Sequence, residues 1–162
     1  MSMDQGIKVK GMYRVQIRNE DGTLAGDSGW NKNTVTNLGI QNYLAGAVFA
    51  NTGSKQVNYV GVGTGGTVAT DATALPGEVM GSTKRVTISK VYSSRTVSNG
   101  SGTQYCYGTF DAGFITTAAT LANIGLFAAS DSSDVMFAGN TFNSSACATN
   151  QAVQITYQIQ LG

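Results

Sequence analysis

The chain has 162 residues, of which 41% are apolar and only 12% charged, and it has no histidine and a formal net charge of +1. Its length fits a single domain, which buries enough surface to fold without a disulfide or a metal. A net charge near zero argues against strong binding to nucleic acid or an anionic membrane, and the missing histidine removes the commonest general base and zinc ligand. We therefore expect neither of these partners, no enzyme activity, no cofactor and no metal.

The low charge indicates what covers the surface. An average soluble domain is about 25% charged, so the exterior of this one must consist largely of Ser, Thr, Asn, Gln and Gly. Such a surface gives little electrostatic repulsion between copies, which favours a subunit of a permanent assembly and a homo-oligomer. The alternative is a small β protein with a polar, uncharged exterior.

The first predicted element is a strand over residues 7–18. Apolar residues at every second position are typical of a half-buried strand. That face carries Ile7, Val9, Tyr13, Val15 and Ile17. The turn Asn19-Glu20-Asp21-Gly22 and a weaker strand after it complete a predicted hairpin over residues 7–30.

The opposite face of this strand is basic. It carries Lys8, Lys10, Arg14 and Arg18, the only charge cluster in the chain. Four cations on one strand face fit an acidic patch on a partner subunit, so these are the candidate docking residues. A solvated strand face is the alternative.

Residues 36–49 contain the one predicted helix. Thr36 is a suitable N-cap, and apolar residues follow it at the spacing of one buried stripe. The stripe consists of Ile40, Leu44, Ala47 and Val48. Because Gly39 and Gly46 lower the helix propensity, we expect a short helix that depends on packing.

From residue 56 onward the pattern predicts short strands and turns. The predicted strands are 57–62, 85–92, 104–110, 124–128, 135–142 and 153–161, with a long loop over 63–83 and a turn over 98–102. About eight short strands with one helix predict an all-β fold. The expected architecture is an antiparallel, jelly-roll-like β-sandwich with one short helix and an N-terminal hairpin.

The outward face of the final strand has no charge. It consists of Gln154, Thr156, Gln158 and Gln160. Charged residues normally protect an exposed sheet edge, so this neutral face fits a strand that another chain covers. The alternative is a strand in the middle of a sheet with one face in water.

Two motifs lack the context that their usual chemistry requires. Residues 61–66 satisfy the pattern G-x-G-x-x-G after a strand, but Pro76 prevents the long helix that a dinucleotide site needs. Cys106 and Cys147 have neither the spacing nor the histidines of a zinc site. We expect Cys106 to be buried in a strand and Cys147 to lie in the polar loop 143–150. A disulfide between them is left open, because the sequence does not establish that they meet.

The acidic residues also do not form a pattern that predicts acid–base catalysis. The possible pairs are Glu20 with Asp21, Asp131 with Asp134, and Asp71 with Glu78. All lie in or beside predicted turns, where carboxylates are usually solvated or hydrogen-bonded to nearby backbone.

Several segments occur together in an order that carries a family resemblance. They are Asn37-Leu38-Gly39, Tyr59–Gly65, Asp71–Leu75 with Glu78-Val79, Ile124–Phe127 with Met136–Gly139, and Val153–Tyr157. Together they resemble small virion structural proteins of tailed bacteriophages, of the type found in tail-fibre, collar and neighbouring modules. Val68-Ala69 and Asn123 depart from the family pattern, which often has Pro and Glu there. The resemblance implies a β-sandwich subunit, often trimeric, with no catalytic residues.

Composition and resemblance together predict a virion structural protein of the tail, fibre or collar region, with other virion proteins and further copies of the chain as partners. Residues 1–30 would be a docking arm and residues 31–162 the β-sandwich domain. The expected contact loops carry Thr64, Thr67, Asp71 and Asn99. Because the N-terminus has no apolar secretion signal, we expect assembly into the virion in the host cytoplasm.

Two alternative functions remain at this point. One is a capsid decoration, or cement, protein that stabilises the head. The other is a receptor- or glycan-binding module of a tail fibre, for which Trp30 is the only tryptophan in the chain.

Overall fold

The computed structural model describes residues 8–48, 55–79, 85–92 and 102–161. Within these ranges the chain forms ten β-strands and one short helical segment. The strands are β1 (Val9–Arg18), β2 (Leu24–Asp27), β3 (Asn31–Val35), β4 (Tyr59–Gly63), β5 (Val86–Thr87), β6 (Ser89–Tyr92), β7 (Gly102–Phe110), β8 (Ala119–Phe127), β9 (Ala138–Cys147) and β10 (Ala152–Leu161). The predicted all-β antiparallel class is confirmed. Most of the predicted turn 98–102 lies outside the described residues.

The strands form one sheet that nearly closes on itself. Its order is β5-β4-β8-β9-β3-β1-β10-β7-β6, with β2 paired to β1. β3 connects two layers, because residues 31–33 pair with β1 and residues 34–35 pair with β9. At the other side β5 pairs with β4, while β6, the next part of the same segment, pairs with β7. The arrangement combines features of a two-layered sandwich and a flattened barrel.

We call the layer with β1, β2, β10, β7 and β6 the front sheet and the layer with β9, β8, β4 and β5 the back sheet. The apolar core lies between them. Its front-sheet members are Tyr13, Val15, Ile17, Val153, Ile155 and Tyr157, and its back-sheet members include Val60, Val62, Leu121, Ile124 and Leu126. Burial of one such side chain contributes about 1.5–3 kcal/mol, so this core holds the two layers together.

β1 and β2 form the predicted hairpin, but β1 is not a separable arm. All ten of its residues pair with β10, from residue 9 opposite 161 to residue 18 opposite 152. The apolar face of β1 is covered by the core, with Tyr13, Val15 and Ile17 no more than 2% exposed. The division of the chain at residue 30 is therefore wrong, because the apolar face that identified the strand also requires it to pack in the domain.

β10 lies between β1 and β7, in the middle of the front sheet. β10 is therefore a strand in the middle of the sheet, as in the alternative, and not the sheet edge that its uncharged outward face suggested. Both sides of its backbone are hydrogen-bonded, and its glutamine-rich face points away from the core.

The helix forms where it was predicted. It consists of α1 (Asn37–Gly39), a π-helical stretch (Ile40–Ala45) and α2 (Gly46–Val48). Thr36 is its N-cap, since Thr36 Oγ1 accepts a hydrogen bond of 2.9 Å from the Gly39 amide. No helix among the described residues is long and apolar enough to cross a membrane.

The predicted buried stripe of the helix is wrong. Ile40 and Val48 are 50% and 70% exposed, and the buried residues are Gly39, Tyr43 and Gly46. The helix approaches the sheet through its glycines and is held by the Tyr43 hydroxyl, which donates to a carbonyl 2.7 Å away and accepts from an amide at 3.1 Å. Because the π-helical turns are wider and the helix lies close to the sheet, the face with Gly39, Tyr43 and Gly46 is buried instead of the predicted stripe.

Both cysteines are buried free thiols. Cys106 lies in β7, as predicted. Cys147 ends β9 and is only 1% exposed, so its placement in a polar loop is wrong. β9 runs five residues beyond its predicted end, because Ser and Asn there take outward positions that the apolar pattern did not reveal.

Candidate assembly interface

The outer faces of the two sheets are covered to different extents. On the back sheet, Val68 and Leu75 of the loop 64–79 pack with Phe127 and Met136 in a second, smaller apolar cluster. On the front sheet, outward residues such as Met12 and Tyr107 are 37% and 42% exposed in the described part of the chain. Within the described residues, one side of the molecule is thus covered by its own loop and the other is not.

The loop 64–79 is firmly attached. The buried side chain of Asn123 donates from Nδ2 to the Pro76 carbonyl at 2.8 Å and to the Gly66 carbonyl at 3.3 Å. Close backbone contact explains the glycine pattern at its start, because a Cβ on Gly65 would lie 2.4 Å from the Pro76 oxygen. The G-x-G-x-x-G segment is therefore a packed strand and loop, with no helix after it.

This attachment presents three of the predicted contact residues on a fixed surface. Thr64, Thr67 and Asp71 are all exposed on the loop. Asn99, the fourth, lies outside the described residues.

A buried ion pair closes the same loop. The Arg85 guanidinium binds both carboxylate oxygens of Glu78, with Nε to Oε1 at 2.6 Å and Nη2 to Oε2 at 3.1 Å. Its Nη1 donates to the carbonyls of Ala129 and Asp131, and its Cζ lies 3.4 Å from the centre of the Phe127 ring. Glu78 is thus a structural carboxylate, as is Asp134, which pairs with Lys55.

The uncovered front face is built from three adjacent rows of outward residues. The β1 row is Lys10, Met12, Arg14, Gln16 and Arg18, the β10 row is Gln154, Thr156, Gln158 and Gln160, and the β7 row is Thr103, Tyr105, Tyr107 and Thr109. The β10 and β7 rows contain no charge. Amides, hydroxyls and tyrosine rings on a partly exposed sheet face are compatible with a protein–protein interface, where tyrosine is enriched.

Two of the four predicted docking residues are used within the front sheet. Arg14 forms an ion pair with Asp27, and its hydrogen bonds hold the pKa of that carboxyl well below its usual range. Arg18 donates from Nε to Gln154 Oε1 at 2.5 Å and from Nη1 to the Gly22 carbonyl at 3.0 Å.

The other two, Lys8 and Lys10, are joined by a third cation. Lys32 of β3 lies opposite Met12 in the register of β1 and β3. Within the described residues, none of the three ammonium groups has a hydrogen bond or an ion pair. Sequence reasoning missed Lys32, because β3 has no apolar alternation that would identify it as a strand.

A groove lies between these lysines. Its volume is about 390 Å³, and its side walls are formed by Lys10, Lys32, Met12, Gln158 and Gln160. The aliphatic stems and Met12 make the groove apolar at its base, whereas the ammonium groups make its rim positive.

The opposite end of the front sheet is acidic. Glu20 and Asp21 occupy the exposed turn between β1 and β2, and Asp111 follows β7 at the same end. Hydrogen bonds from the Thr23 hydroxyl and amide to the Asp21 carboxylate lower its pKa. The front sheet thus has a basic end and an acidic end.

The described residues contain no group of three or more His, Cys, Asp or Glu side chains that could hold a metal ion. Trp30 is 45% exposed between β2 and β3. No protein-family model matches the chain, and neither a curated protein nor a solved structure matches it.

Proposed function

We propose that the chain is a structural subunit of a bacteriophage virion, built into the tail, fibre or collar region and in contact with other virion proteins and further copies of itself. The observation that carries the proposal is the outer face of the front sheet. It is polar, free of charge in its β10 and β7 rows, and partly to fully exposed in the described part of the chain. The resemblance to small virion proteins of tailed bacteriophages is the reason for proposing a bacteriophage particle.

The chemistry of this face suits permanent contact. Tyr105 and Tyr107 offer large, rigid rings, and the neighbouring Thr and Gln side chains offer donors and acceptors. A partner that covers these rows does not have to remove water from ions, which would require several kcal/mol per unpaired charge.

The molecule offers a second surface on its other side. Thr64, Thr67 and Asp71 are exposed on the loop that Asn123 and Glu78 hold in place. A fixed loop loses little conformational entropy on binding. Contact surfaces on opposite sides suit a subunit with neighbours on both.

The test is to quantify the chain in purified virions and to locate it by antibody labelling in particle images. We expect it to be present in tens of copies or fewer on the tail. Hundreds of copies on the head would replace the tail assignment with head decoration. Absence from virions would overturn the proposal.

A pair of variants tests the front face itself. Tyr107→Glu places a charge in the uncharged rows and should lower incorporation into virions without unfolding the domain. Ser132→Glu, in the exposed turn between β8 and β9, is the matched control. Equal incorporation of the two variants would show that the front face is not the contact surface.

A further inference from the structure

The two ends of β1 carry opposite charges that cannot neutralise each other within one copy. Lys10 lies at one end of the strand, and Glu20 and Asp21 lie just beyond the other. At about 3.3 Å per residue the two groups are roughly 30 Å apart. Charges at the surface are screened over about 8 Å at physiological salt, so the two ends do not compensate each other. Among the described residues Lys10 and Lys32 have no ion pair, and the carboxylates of the turn have only the Arg18 guanidinium beside them, on the Gly22 carbonyl.

The acidic end has the shape of a small projection. Glu20, Asp21 and Gly22 are all exposed in a tight turn, where Gly22 has a φ of 82°. The turn is held by the Asn19 and Gly22 amides, by Arg18 on the Gly22 carbonyl and by the Asp21 carboxylate on Thr23. Since it is already ordered, little conformational entropy is lost when it binds.

The basic end has the complementary shape. The groove between Lys10 and Lys32 has a volume of about 390 Å³, near the lower end of the range of about 300–1,000 Å³ for ligand clefts. A groove of this size suits the tip of a hairpin better than a whole strand or helix. Its positive rim and apolar base suit carboxylates carried on short aliphatic stems.

The closure of the sheet also limits how two copies can meet. The two ends of the strand order, β5 and β6, are consecutive parts of one segment that pairs on both sides. β5 and β6 are only two and four residues long, so the described part of the chain offers no long open edge there for pairing with another copy. This favours a contact between copies through a face or an end of the sheet.

We propose that the Glu20-Asp21 turn of one copy sits in the groove between Lys10 and Lys32 of a second copy. This inference rests on the proposed role as an assembly subunit and names the contact that joins its copies. A two-fold dimer makes the contact twice, and a cyclic ring makes it once at each interface. Lys8, beside the groove, adds to the attraction.

The test is a charge-reversal exchange, read as the mass of the purified full-length protein by light scattering and as the dissociation constant by analytical ultracentrifugation. One variant, Lys10→Glu with Lys32→Glu, makes the groove acidic. The other, Glu20→Lys with Asp21→Lys, makes the turn basic. Each variant alone should dissociate at least about tenfold more readily than the natural chain. Thermal unfolding should be unchanged for the groove variant, whereas the turn variant also loses the hydrogen bonds from Thr23 to Asp21, so Glu20→Lys alone, which keeps them, is measured beside it.

The mixture gives the decisive result. When the two variants are combined, an acidic turn meets a basic groove at one contact and a basic turn meets an acidic groove at the other, so association should return. A chain with all four reversals should also self-associate.

The matched control, Lys10→Arg with Lys32→Arg, keeps the charge and should associate within about threefold of the natural chain. Raising the salt from about 0.15 M to about 1 M, which shortens the screening length from about 8 Å to about 3 Å, should weaken association.

Three results would overturn the inference. The first is a natural chain that remains a 16.8 kDa monomer at millimolar concentration. The second is an oligomer that neither reversal weakens, and the third is a mixture of the two variants that does not reassociate. None of these results removes the chain from the virion, which is measured separately by its copy number in particles, so failure of this contact and failure of the proposed function are distinguishable.

Discussion

Arg85 and Glu78 form a buried ion pair where the loop 64–79 returns to the back sheet, with side chains only 1% and 6% exposed. The remaining donors of Arg85 reach two backbone carbonyls, and its guanidinium lies over Phe127. A buried pair satisfied in this way contributes mainly by fixing geometry, whereas removal of one partner leaves a buried charge uncompensated. The pair therefore holds the loop on which Thr64, Thr67 and Asp71 are exposed.

We expect Glu78→Gln to lower the free energy of unfolding by about 3–5 kcal/mol, because the variant leaves the Arg85 charge buried without a counter-charge. Chemical denaturation at neutral pH measures this. Lys90→Gln removes an exposed cation that donates only to Asn58 and should change stability by no more than about 0.5 kcal/mol. A Glu78→Gln variant as stable as the Lys90→Gln control would contradict this account of the pair.

Gly39→Ala should destabilise the fold, although alanine is the better helix former. A Cβ at this position would lie 2.0 Å from the Phe137 carbonyl oxygen. Overpacking typically costs about 1–3 kcal/mol, which exceeds the gain of about 1 kcal/mol in helix propensity. Gly66→Ala is the control, because its Cβ would meet nothing within 4 Å. Thermal unfolding of both variants tests this prediction. A Gly39→Ala variant more stable than the natural chain would show that the helix is not packed so closely on Phe137.

Three of the seven tyrosines should make the fold sensitive to alkali. Burial raises the pKa of Tyr43 to about 12, and it also raises the pKa values of Tyr13 and Tyr157 well above the ordinary value. An unfolded tyrosine has a pKa of about 10. The unfolded chain therefore releases these protons first, so the stability present below pH about 10 falls as the pH rises towards 12.

Denaturation at several pH values, with tyrosinate absorbance recorded in parallel, measures this dependence. Tyr43→Phe should reduce its slope, and at neutral pH it should cost about 1–3 kcal/mol, because it leaves the Val135 carbonyl and the Ala128 amide without their partner. If all seven tyrosines ionise near pH 10 while the protein stays folded, the burial of these rings is not as described.

The two thiols should be unreactive in the native protein and both free in the unfolded one. Burial raises the pKa values of Cys106 and Cys147, and it is the thiolate that reacts. Titration with a thiol reagent in denaturant, without reductant, should detect two thiols per chain. Detection of none would reveal a disulfide.

The strands with a strong local pattern could be predicted, and those without it could not. β1 and β10 alternate over their whole length, and each buries one face on the core, so a period of two identifies them. β3 and the last five residues of β9 lack apolar alternation, so no period of two identifies them. For the helix, too, only the local feature could be predicted. Its N-cap depends on Thr36 alone, whereas its buried face depends on how closely the helix approaches Phe137, which is distant in the sequence.

The candidate site was predictable only in part, for the same reason. Lys10 and Arg14 share a strand face, as the alternation of apolar and polar residues in the sequence predicts. The strands beside β1 determine the rest. β2 brings Asp27 to Arg14 and neutralises it, whereas β3 places Lys32 near Lys10.

By itself, the sequence determined the all-β class, the alternating strands, the helix start and a surface poor in charge, because each follows from residue types within a short stretch or from composition. The tertiary structure alone decided that β10 lies inside the sheet, that the sheet nearly closes, and that the loop 64–79 covers the outer face of the back sheet. It also decided that the front sheet has ends of opposite charge. Strand partners are chosen by contacts between residues far apart in the chain, which no local pattern encodes.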